Sequence, residues 1–249
     1  MMQLNWLYSL LSVIAVSVFS LIGLFFLAFR IEQLKKLLLF LVSFAAGGLL
    51  GDAFIHLLPE ALAAGNGVAV PLSILSGVLV FFVLEKFISW RHCHIPTTKS
   101  HPHPIALMNL VGDGLHNFID GMVIAGSYLV SIELGVATTL AVIFHEIPQE
   151  IGDFGVLIHG GFTKKKALTF NFISATMAIM GSLLVLLLGT RLNLAQEFII
   201  PFTAGGFIYI AGSDLIPEMH KETNAKISLF QFLGLVLGIG VMLALTQLE

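Results

Sequence analysis

The chain has 249 residues, of which 57% are hydrophobic and only 11% are charged, and its mean hydropathy is +0.97. Soluble domains carry about 25% charged residues, so this composition excludes an ordinary soluble protein and predicts an integral membrane protein in a lipid bilayer. The formal net charge of −3 lacks the basic excess that nucleic-acid binding requires, so no nucleic-acid partner is expected.

Eight apolar stretches are each long enough to cross a bilayer as a helix, which needs about 20 residues. They lack the strand-type alternation of a barrel, so we predict an all-α protein. Because the connections between them are short, a single transmembrane domain is predicted over residues 1–249. The predicted spans, numbered 1 to 8, are about 6–29, 37–62, 69–89, 105–131, 134–160, 167–190, 197–219 and 227–248.

The distribution of Lys and Arg predicts the orientation, because cytoplasmic loops of membrane proteins are enriched in these residues. With eight spans, all but one of the 12 basic residues fall in the connections that follow spans 1, 3, 5 and 7 or, as Lys86 does, in the last turn before such a connection, and the exception is Arg191. We therefore expect these connections in the cytoplasm and both termini on the extracytoplasmic side.

Spans 2 and 7 share a sequence pattern, GGLLGDAFIHLLPE and GGFIYIAGSDLIPE. The interval from Gly47 to Pro59 equals that from Gly205 to Pro217. The two segments run in opposite directions in the predicted topology, as in an inverted repeat that relates spans 1–3 to spans 6–8 around spans 4 and 5. We predict this 3+2+3 bundle, although glycine and proline are also common in unrelated membrane helices.

Spans 4 and 5 carry polar and ionisable side chains near their middles, where such groups are costly and by default mark a functional site. His116 and Asp120 are four residues apart and therefore share a helix face, and His145 and Gln149 are related in the same way. Neighbouring positions add further carboxylate and amide groups. The candidate metal ligands are His116, Asn117, Asp120, His145, Glu146, Gln149 and Glu150.

Two imidazoles with a carboxylate and an amide oxygen suit Zn²⁺, Fe²⁺, Mn²⁺ or Co²⁺ better than Na⁺ or Ca²⁺. A divalent cation would also compensate the buried carboxylates. Asn117 and Glu146 could support these ligands or form a second, weaker site. A structural network that only holds the helices together is the alternative, but the number of polar groups on two adjacent spans favours metal binding.

The stretch from His145 to Gln149 begins like the zinc-protease signature H-E-x-x-H, in which the Glu acts as a general base. Gln149 replaces the second His of that signature, so a membrane-embedded zinc-dependent hydrolase is the alternative function rather than the favoured one. Pro148 interrupts the helical hydrogen bonding of span 5, and the carbonyl that it frees is tolerable only where it faces protein or a polar cavity.

Further polar residues in the spans are weaker candidates. They could line a transport path, or they could form hydrogen bonds within the bundle. The candidate path residues are Asp52, His56, Asp113, Asp153 and Asp214.

The connection of residues 90–104 is rich in histidine and contains proline. Its candidate metal-capturing residues are His92, His94, His101 and His103. Such a loop favours a flexible metal collector on the cytoplasmic side, and a plain solvated loop is the alternative.

The motifs HNFIDG, from His116 to Gly121, and HEIPQE, from His145 to Glu150, resemble those of the ZIP (Zrt/Irt-like) family of divalent metal transporters. The resemblance is to its LIV-1 branch, and to KE4-like members within it, and covers all eight spans. It implies a homodimeric transporter, and no enzyme, that moves Zn²⁺ into the cytoplasm, together with Fe²⁺, Mn²⁺, Cd²⁺ or Co²⁺. The metal is then a substrate, and no prosthetic group is expected.

The resemblance also assigns roles by position. It places His116, Asp120, His145 and Gln149 at a main site, with Asn117 and Glu146 at an adjoining one. Gln149 stands where the family has a second His, so a weaker affinity for Zn²⁺ is expected, with Glu150 as the candidate residue to compensate for it. Some relatives have a carboxylate in the sixth span and this chain has none there, so the adjoining site is expected to be weak or absent.

The resemblance has two consequences for location and assembly. Many animal members carry a large extracellular domain that is not found here, so a minimal form in a bacterial inner membrane is expected. A homodimer could use the small-residue faces Gly47-x-x-x-Gly51 and Gly234-x-x-x-Gly238, although such faces also pack within a single bundle.

Overall fold

The computed structural model describes residues 2–22, 31–64, 67–89, 104–159, 161–192 and 195–248, and it is helical throughout these ranges apart from short turns. The predicted all-α class is confirmed. The helices are α1 (Met2–Phe19), α2 (Ile31–Gly51), α3 (Leu58–Ala64), α4 (Ala69–Ser89), α5 (Pro104–Val130), α6 (Ile132–His159), α7 (Lys164–Ala175), α8 (Met177–Leu192), α9 (Ile200–Tyr209), α10 (Ile216–His220) and α11 (Ala225–Leu245). The His-rich connection, with its four candidate histidines, lies outside the described residues.

Five helical stretches of the described part are long and apolar enough to cross a membrane. They are Leu38–Ala63, Ala69–Lys86, Lys164–Leu188, Glu197–His220 and Ala225–Leu245. α1 is apolar but shorter, whereas α5 and α6 have 27 and 28 residues and carry the ionisable groups. At a rise of about 1.5 Å per residue, both are longer than the hydrocarbon core of a bilayer. The chain is a multi-pass membrane protein, and the count of eight spans stays a prediction.

Two π-helical segments occupy the same place in the repeated pattern. Asp52–Leu57 joins α2 to α3, and Ile210–Leu215 joins α9 to α10. Each is followed by a residue whose backbone N–H donates to the carbonyl five positions earlier, and then by a proline. Proline cannot donate, and its ring clashes with the preceding turn, so a widened turn accommodates it. The Gly-to-Pro pattern thus has one conformation in both halves of the chain.

Among the described residues, six glycines lie where two helix backbones touch: Gly121 and Gly181 join α5 and α8, and the contacts of the other four come in two matching sets. The pairs are Gly47–Leu235 and Gly238–Phe44 between α2 and α11, and Gly205–Ile74 and Gly77–Phe202 between α9 and α4. In each pair a Cβ on the glycine would lie only 2.0–2.2 Å from the partner's carbonyl oxygen, so a larger residue would force the helices apart. The packing of spans 2 and 8 is reproduced by spans 7 and 3, as the predicted repeat requires.

These contacts correct the expectation that the two small-residue faces serve a dimer. A Cβ on Gly51 would lie 2.8 Å from the Cβ of Met242, and one on Gly234 would lie 3.2 Å from the ring of Phe40. Both faces are therefore covered by each other within one chain. The reason is that α2 and α11 need glycine to bring their backbones this close.

α5 and α6 occupy the centre of the bundle. α5 packs against α1, α6 and α8, and α6 also packs against α2. The main apolar core includes Leu49, Ile124, Val142 and Phe207, which come from four different helices. The polar middles of α5 and α6 are thus enclosed by apolar helices.

The close backbone contacts predict a position-specific effect on stability. Gly205→Ala would place a Cβ 2.0 Å from the carbonyl oxygen of Ile74. We expect it to destabilise the purified protein by about 1–3 kcal/mol, as overpacking does, measured by thermal unfolding in detergent. Gly240→Ala is the matched control, because its Cβ would meet nothing within 4 Å. Equal unfolding temperatures for the two variants would contradict the close contact.

Candidate metal site

The turn between α5 and α6 brings the polar middles of the two helices level. Ser131 is the only residue between them, and its hydroxyl accepts a hydrogen bond of 3.1 Å from the backbone N–H of Leu134. His116 and His145 lie at nearly equal distances along the chain from this turn. Because the two helices pack along each other, the two histidines face one another.

Four buried side chains form a compact cluster at this level: His116, Asp120, His145 and Glu146. The Nε2 atom of His145 lies 3.2 Å from Nε2 of His116 and 3.2 Å from Oδ2 of Asp120. Oε1 of Glu146 lies 3.4 Å and 3.6 Å from the Nε2 atoms of His116 and His145. The remaining recorded separation, between His116 Nε2 and Asp120 Oδ2, is 3.6 Å.

These separations fit a tetrahedral metal ion. Zn²⁺ binds nitrogen and oxygen ligands at about 2.0–2.2 Å, so its ligand atoms lie about 3.3–3.6 Å apart in a regular tetrahedron. The five recorded separations in the cluster are 3.2–3.6 Å. The two nitrogens and two oxygens therefore surround a space of the size that one such ion needs.

The hydrogen bonds around the cluster leave its ligand atoms available. Nδ1 of His145 lies 3.1 Å from the carbonyl oxygen of Ala141 and donates to it in the tautomer that leaves Nε2 unprotonated, as in many metal-binding histidines. Apart from the two histidines, no hydrogen-bond donor among the described residues reaches the oxygens of Asp120 or Oε1 of Glu146. Buried carboxylate oxygens without donors are costly, and a cation would compensate them.

Two phenylalanine rings enclose the imidazoles. Phe81 meets His116 edge to face with ring centroids 5.6 Å apart, and Phe207 meets His145 at 5.9 Å. Both rings are almost fully buried. They pack against the imidazole rings and restrict their orientation.

A second cluster adjoins the first and shares one residue with it. One carboxylate oxygen from each of Asp113, Glu146 and Glu150 lies within 4.8 Å of the others, and all three residues are buried. This ligand set contains only oxygen, which suits harder cations than the His-containing set does. Glu146 belongs to both clusters, so two ions bound here would share it.

Asn117 and Gln149 are placed less directly than the sequence predicted. Asn117 donates through Nδ2 to Asp113, to its Oδ1 at 2.9 Å and to its backbone carbonyl at 3.1 Å, and thus supports the second cluster. Gln149 lines a cavity beside Pro148, while Glu146 supplies the fourth ligand atom of the first cluster. A direct role for Gln149 as a ligand stays a prediction.

The cavity connects the first cluster with the surface. Its volume is about 580 Å³, and its lining runs from His116 and His145 past Asp153 to the exposed Asp214 and Glu218. Three of the five candidate path residues, Asp113, Asp153 and Asp214, therefore border it.

The other two candidate path residues, Asp52 and His56, are buried in the π-helical segment after α2 and are not part of the cavity lining. Nε2 of His56 lies 3.0 Å from the carbonyl oxygen of Met242 in α11. The contact of His56 agrees with the alternative interpretation of the sequence, hydrogen bonding within the bundle, and a role of either residue in a transport path stays a prediction.

Three polar residues near the site were missed by the sequence analysis. Asn171 of α7 is buried and donates to Oε2 of Glu150 at 2.5 Å. Tyr209 donates to Oε2 of Glu85 at 2.5 Å across the cavity wall. Asn171 could have been flagged as an amide inside a predicted span, whereas Glu85 beside Lys86 looked like an ordinary span end.

Comparison with known proteins agrees with this geometry. The chain matches the family model described as ZIP Zinc transporter over residues 3–105 and 99–246. It is 31% identical to the Zinc transporter ZIP13 homolog of Drosophila melanogaster, over 98% of this chain and 89% of that protein. It is 33% identical to Zinc transporter ZIP13 of Danio rerio, over 86% of this chain and 76% of the relative.

A further relative is Zinc transporter SLC39A7 of Mus musculus, at 29% identity over 98% of this chain and 70% of that protein. None of these similarities supports the alternative of a membrane-embedded hydrolase. The family predicted from the motifs on α5 and α6 is confirmed, and the chain belongs to the ZIP zinc transporter family.

Proposed function

We propose that the protein carries Zn²⁺ across the membrane into the cytoplasm through the His-containing cluster. The observation that carries this proposal is the set of four buried ligand atoms, two imidazole nitrogens and two carboxylate oxygens, separated by 3.2–3.6 Å where recorded. The set lies midway along α5 and α6 and borders a cavity that reaches the surface. The family membership supports the same substrate.

The geometry suggests how a cation passes. At the cluster, the four ligand atoms replace water around the ion, and the buried carboxylates compensate its charge. From there the cavity is bordered by further carboxylates, Asp153, Asp214 and Glu218, which keep a positive ion in a favourable environment. The surface end of the cavity lies near Lys221 and so on the predicted cytoplasmic side, which supports release into the cytoplasm.

The ligand chemistry also bears on selectivity. Imidazole with carboxylate is a borderline set that accepts Fe²⁺, Mn²⁺, Co²⁺ and Cd²⁺ as well as Zn²⁺. We therefore include these ions as further substrates. The metal is transported cargo in this proposal, and the protein has no catalytic role and no prosthetic group.

The setting we propose is a bacterial inner membrane with both termini outside the cytoplasm. The distribution of basic residues supports this orientation. We also propose a homodimer on the strength of the family resemblance, with an interface that does not involve the glycine faces of α2 and α11.

Loss of the paired imidazoles should abolish transport. Loss of a residue that only supports a metal ligand already lowers metal affinity or activity roughly 10- to 100-fold. Because His116 and His145 supply ligand atoms themselves, we expect His116→Ala/His145→Ala to reduce Zn²⁺ flux into proteoliposomes by more than this. His220→Ala is the control, because His220 is exposed at the end of α10. Wild-type flux by the correctly inserted double variant would refute the site.

Substitutions at the shared Glu146 and at Glu150 should distinguish the two clusters experimentally. Glu146→Gln is expected to weaken Zn²⁺ binding at both clusters, because Glu146 belongs to each, whereas Glu150→Gln should affect only the oxygen-only cluster. Calorimetric titration of the purified protein would count the ions bound. If Glu150→Gln weakened the first and second equivalents alike, the division into two clusters would be wrong.

The orientation can be tested by accessibility. In a Cys93→Ser background, we expect a cysteine at Gln3 to react with a membrane-impermeant thiol reagent applied to intact cells, and a cysteine at Lys165 to react only after the cells are opened. Labelling of both cysteine variants in opened cells controls for the intrinsic reactivity of each thiol. The orientation would be reversed if Lys165→Cys were the variant that reacts from outside.

A further inference from the structure

Asn171 of α7 is fixed against the oxygen-only cluster. Its side chain is 1% exposed, and its Nδ2 donates to Oε2 of Glu150 at 2.5 Å and to the backbone carbonyl of the same residue at 3.1 Å. Both atoms that Nδ2 contacts are hydrogen-bond acceptors. The orientation of the amide is therefore determined, because in the flipped orientation its oxygen would face these two oxygens. The bond crosses from predicted span 6 to span 5.

The same arrangement occurs a second time in the cluster. Asn117 donates through Nδ2 to Oδ1 and to the backbone carbonyl of Asp113. Each carboxylate thus has one oxygen held by an amide. The other oxygens, Oε1 of Glu150 and Oδ2 of Asp113, are buried and receive no hydrogen bond from the described residues. Oε1 of Glu146, the third member, has no donor other than the histidines beside it.

We propose that Asn171 is a positioning residue, which holds Glu150 by one oxygen so that the other oxygen can bind a divalent cation together with Asp113 and Glu146. This inference rests on the proposed function, because it concerns the second ion position of the same transport site. A neutral amide performs this task without a fourth negative charge, which would repel the three carboxylates already present. It also makes the cluster depend on α7 as well as on α5 and α6.

A role of this kind is distinguishable from ordinary packing. If Asn171 only filled space between helices, the isosteric Leu would leave binding at both ion positions unchanged, or would weaken both alike through a general loss of packing. If it acts through Glu150, the loss appears at the oxygen-only cluster and disappears once Glu150 itself is changed. The second pattern is the one a positioning residue produces, because coupled residues are not additive.

The test uses the full chain in detergent micelles and Zn²⁺ alone as the probe, with calorimetric titration. The first equivalent is assigned by its loss in His116→Ala/His145→Ala. In Asn171→Leu we expect the second equivalent to bind roughly 10- to 100-fold more weakly, with the first unchanged. Asn171→Leu in a Glu150→Gln background should cause no further loss.

Ser182→Ala is the matched control. Ser182 is a buried polar residue of α8, in the same predicted span, and its hydroxyl pairs with that of Ser9 in α1 at 3.0 Å and not with a member of either cluster. Its binding should equal that of the wild type.

Three results would overturn the inference: wild-type binding of the second equivalent by Asn171→Leu, equal weakening of both equivalents, or additive effects with Glu150→Gln. A wild-type protein that binds only one equivalent would overturn it as well. Absence of Zn²⁺ flux by the wild type in proteoliposomes would instead count against the proposed function, so the two failures are separable.

Discussion

The negative charge buried between α5 and α6 is the constraint on which the rest of the structure depends. Asp113, Asp120, Glu146 and Glu150 are all nearly inaccessible, and several of their oxygens lack a hydrogen-bond donor among the described residues. In an apolar environment such groups are strongly unfavourable unless a counter-charge or a set of donors compensates them. The two histidines and two asparagines compensate them in part, and a divalent cation bound as proposed would supply the remainder. The same buried groups are therefore unfavourable for the fold on their own and are the ligands in the proposed function.

The surrounding helices hold this charged centre in one geometry. The glycine contacts between α2 and α11, and between α4 and α9, bring the backbones of these helices into direct contact. Closely packed protein interiors have low compressibility, so a displacement of one helix is transmitted to the helices that pack against it. α2 and α9, which make these contacts, also pack against α6 and α5, so the glycine contacts help to fix the helices that carry the four side chains of the first cluster.

Much of the site was accessible from the sequence, because it follows from helical periodicity. The pairing of His116 with Asp120 on one helix followed from their spacing of four residues in apolar surroundings, whereas the same spacing paired His145 with Gln149 rather than with Glu146. The repeat was visible in the Gly-to-Pro interval because proline demands a local change of helix geometry wherever it occurs. The all-α class followed from the apolar runs alone.

The remaining features depend on distances between segments, which one sequence does not contain. The placement of Glu146 within the first cluster depends on the rotation of α6 against α5, which spacing alone does not determine. Asn171 is far from the motifs in the chain and meets Glu150 only because α7 packs beside both helices. The burial of the small-residue faces at Gly47 and Gly234 within one chain could not be predicted either, because the sequence pattern of such a face is the same whether its partner helix is in the same chain or in another.

The polarity of α5 and α6 has a consequence for biogenesis. Insertion scales assign a single Asp at the centre of a membrane helix a penalty of about 2.5–3.5 kcal/mol, and α6 carries Glu146, Glu150 and Asp153 in its second half. Neither helix is among the stretches apolar enough to span a membrane by composition. Stable insertion of α5 and α6 therefore depends on neighbouring helices that shield them from lipid. Since α7 and α8 pack against this pair and follow it in the chain, we expect the shielding to be complete only after they have been synthesised, so that membrane integration of this protein is coupled to its folding.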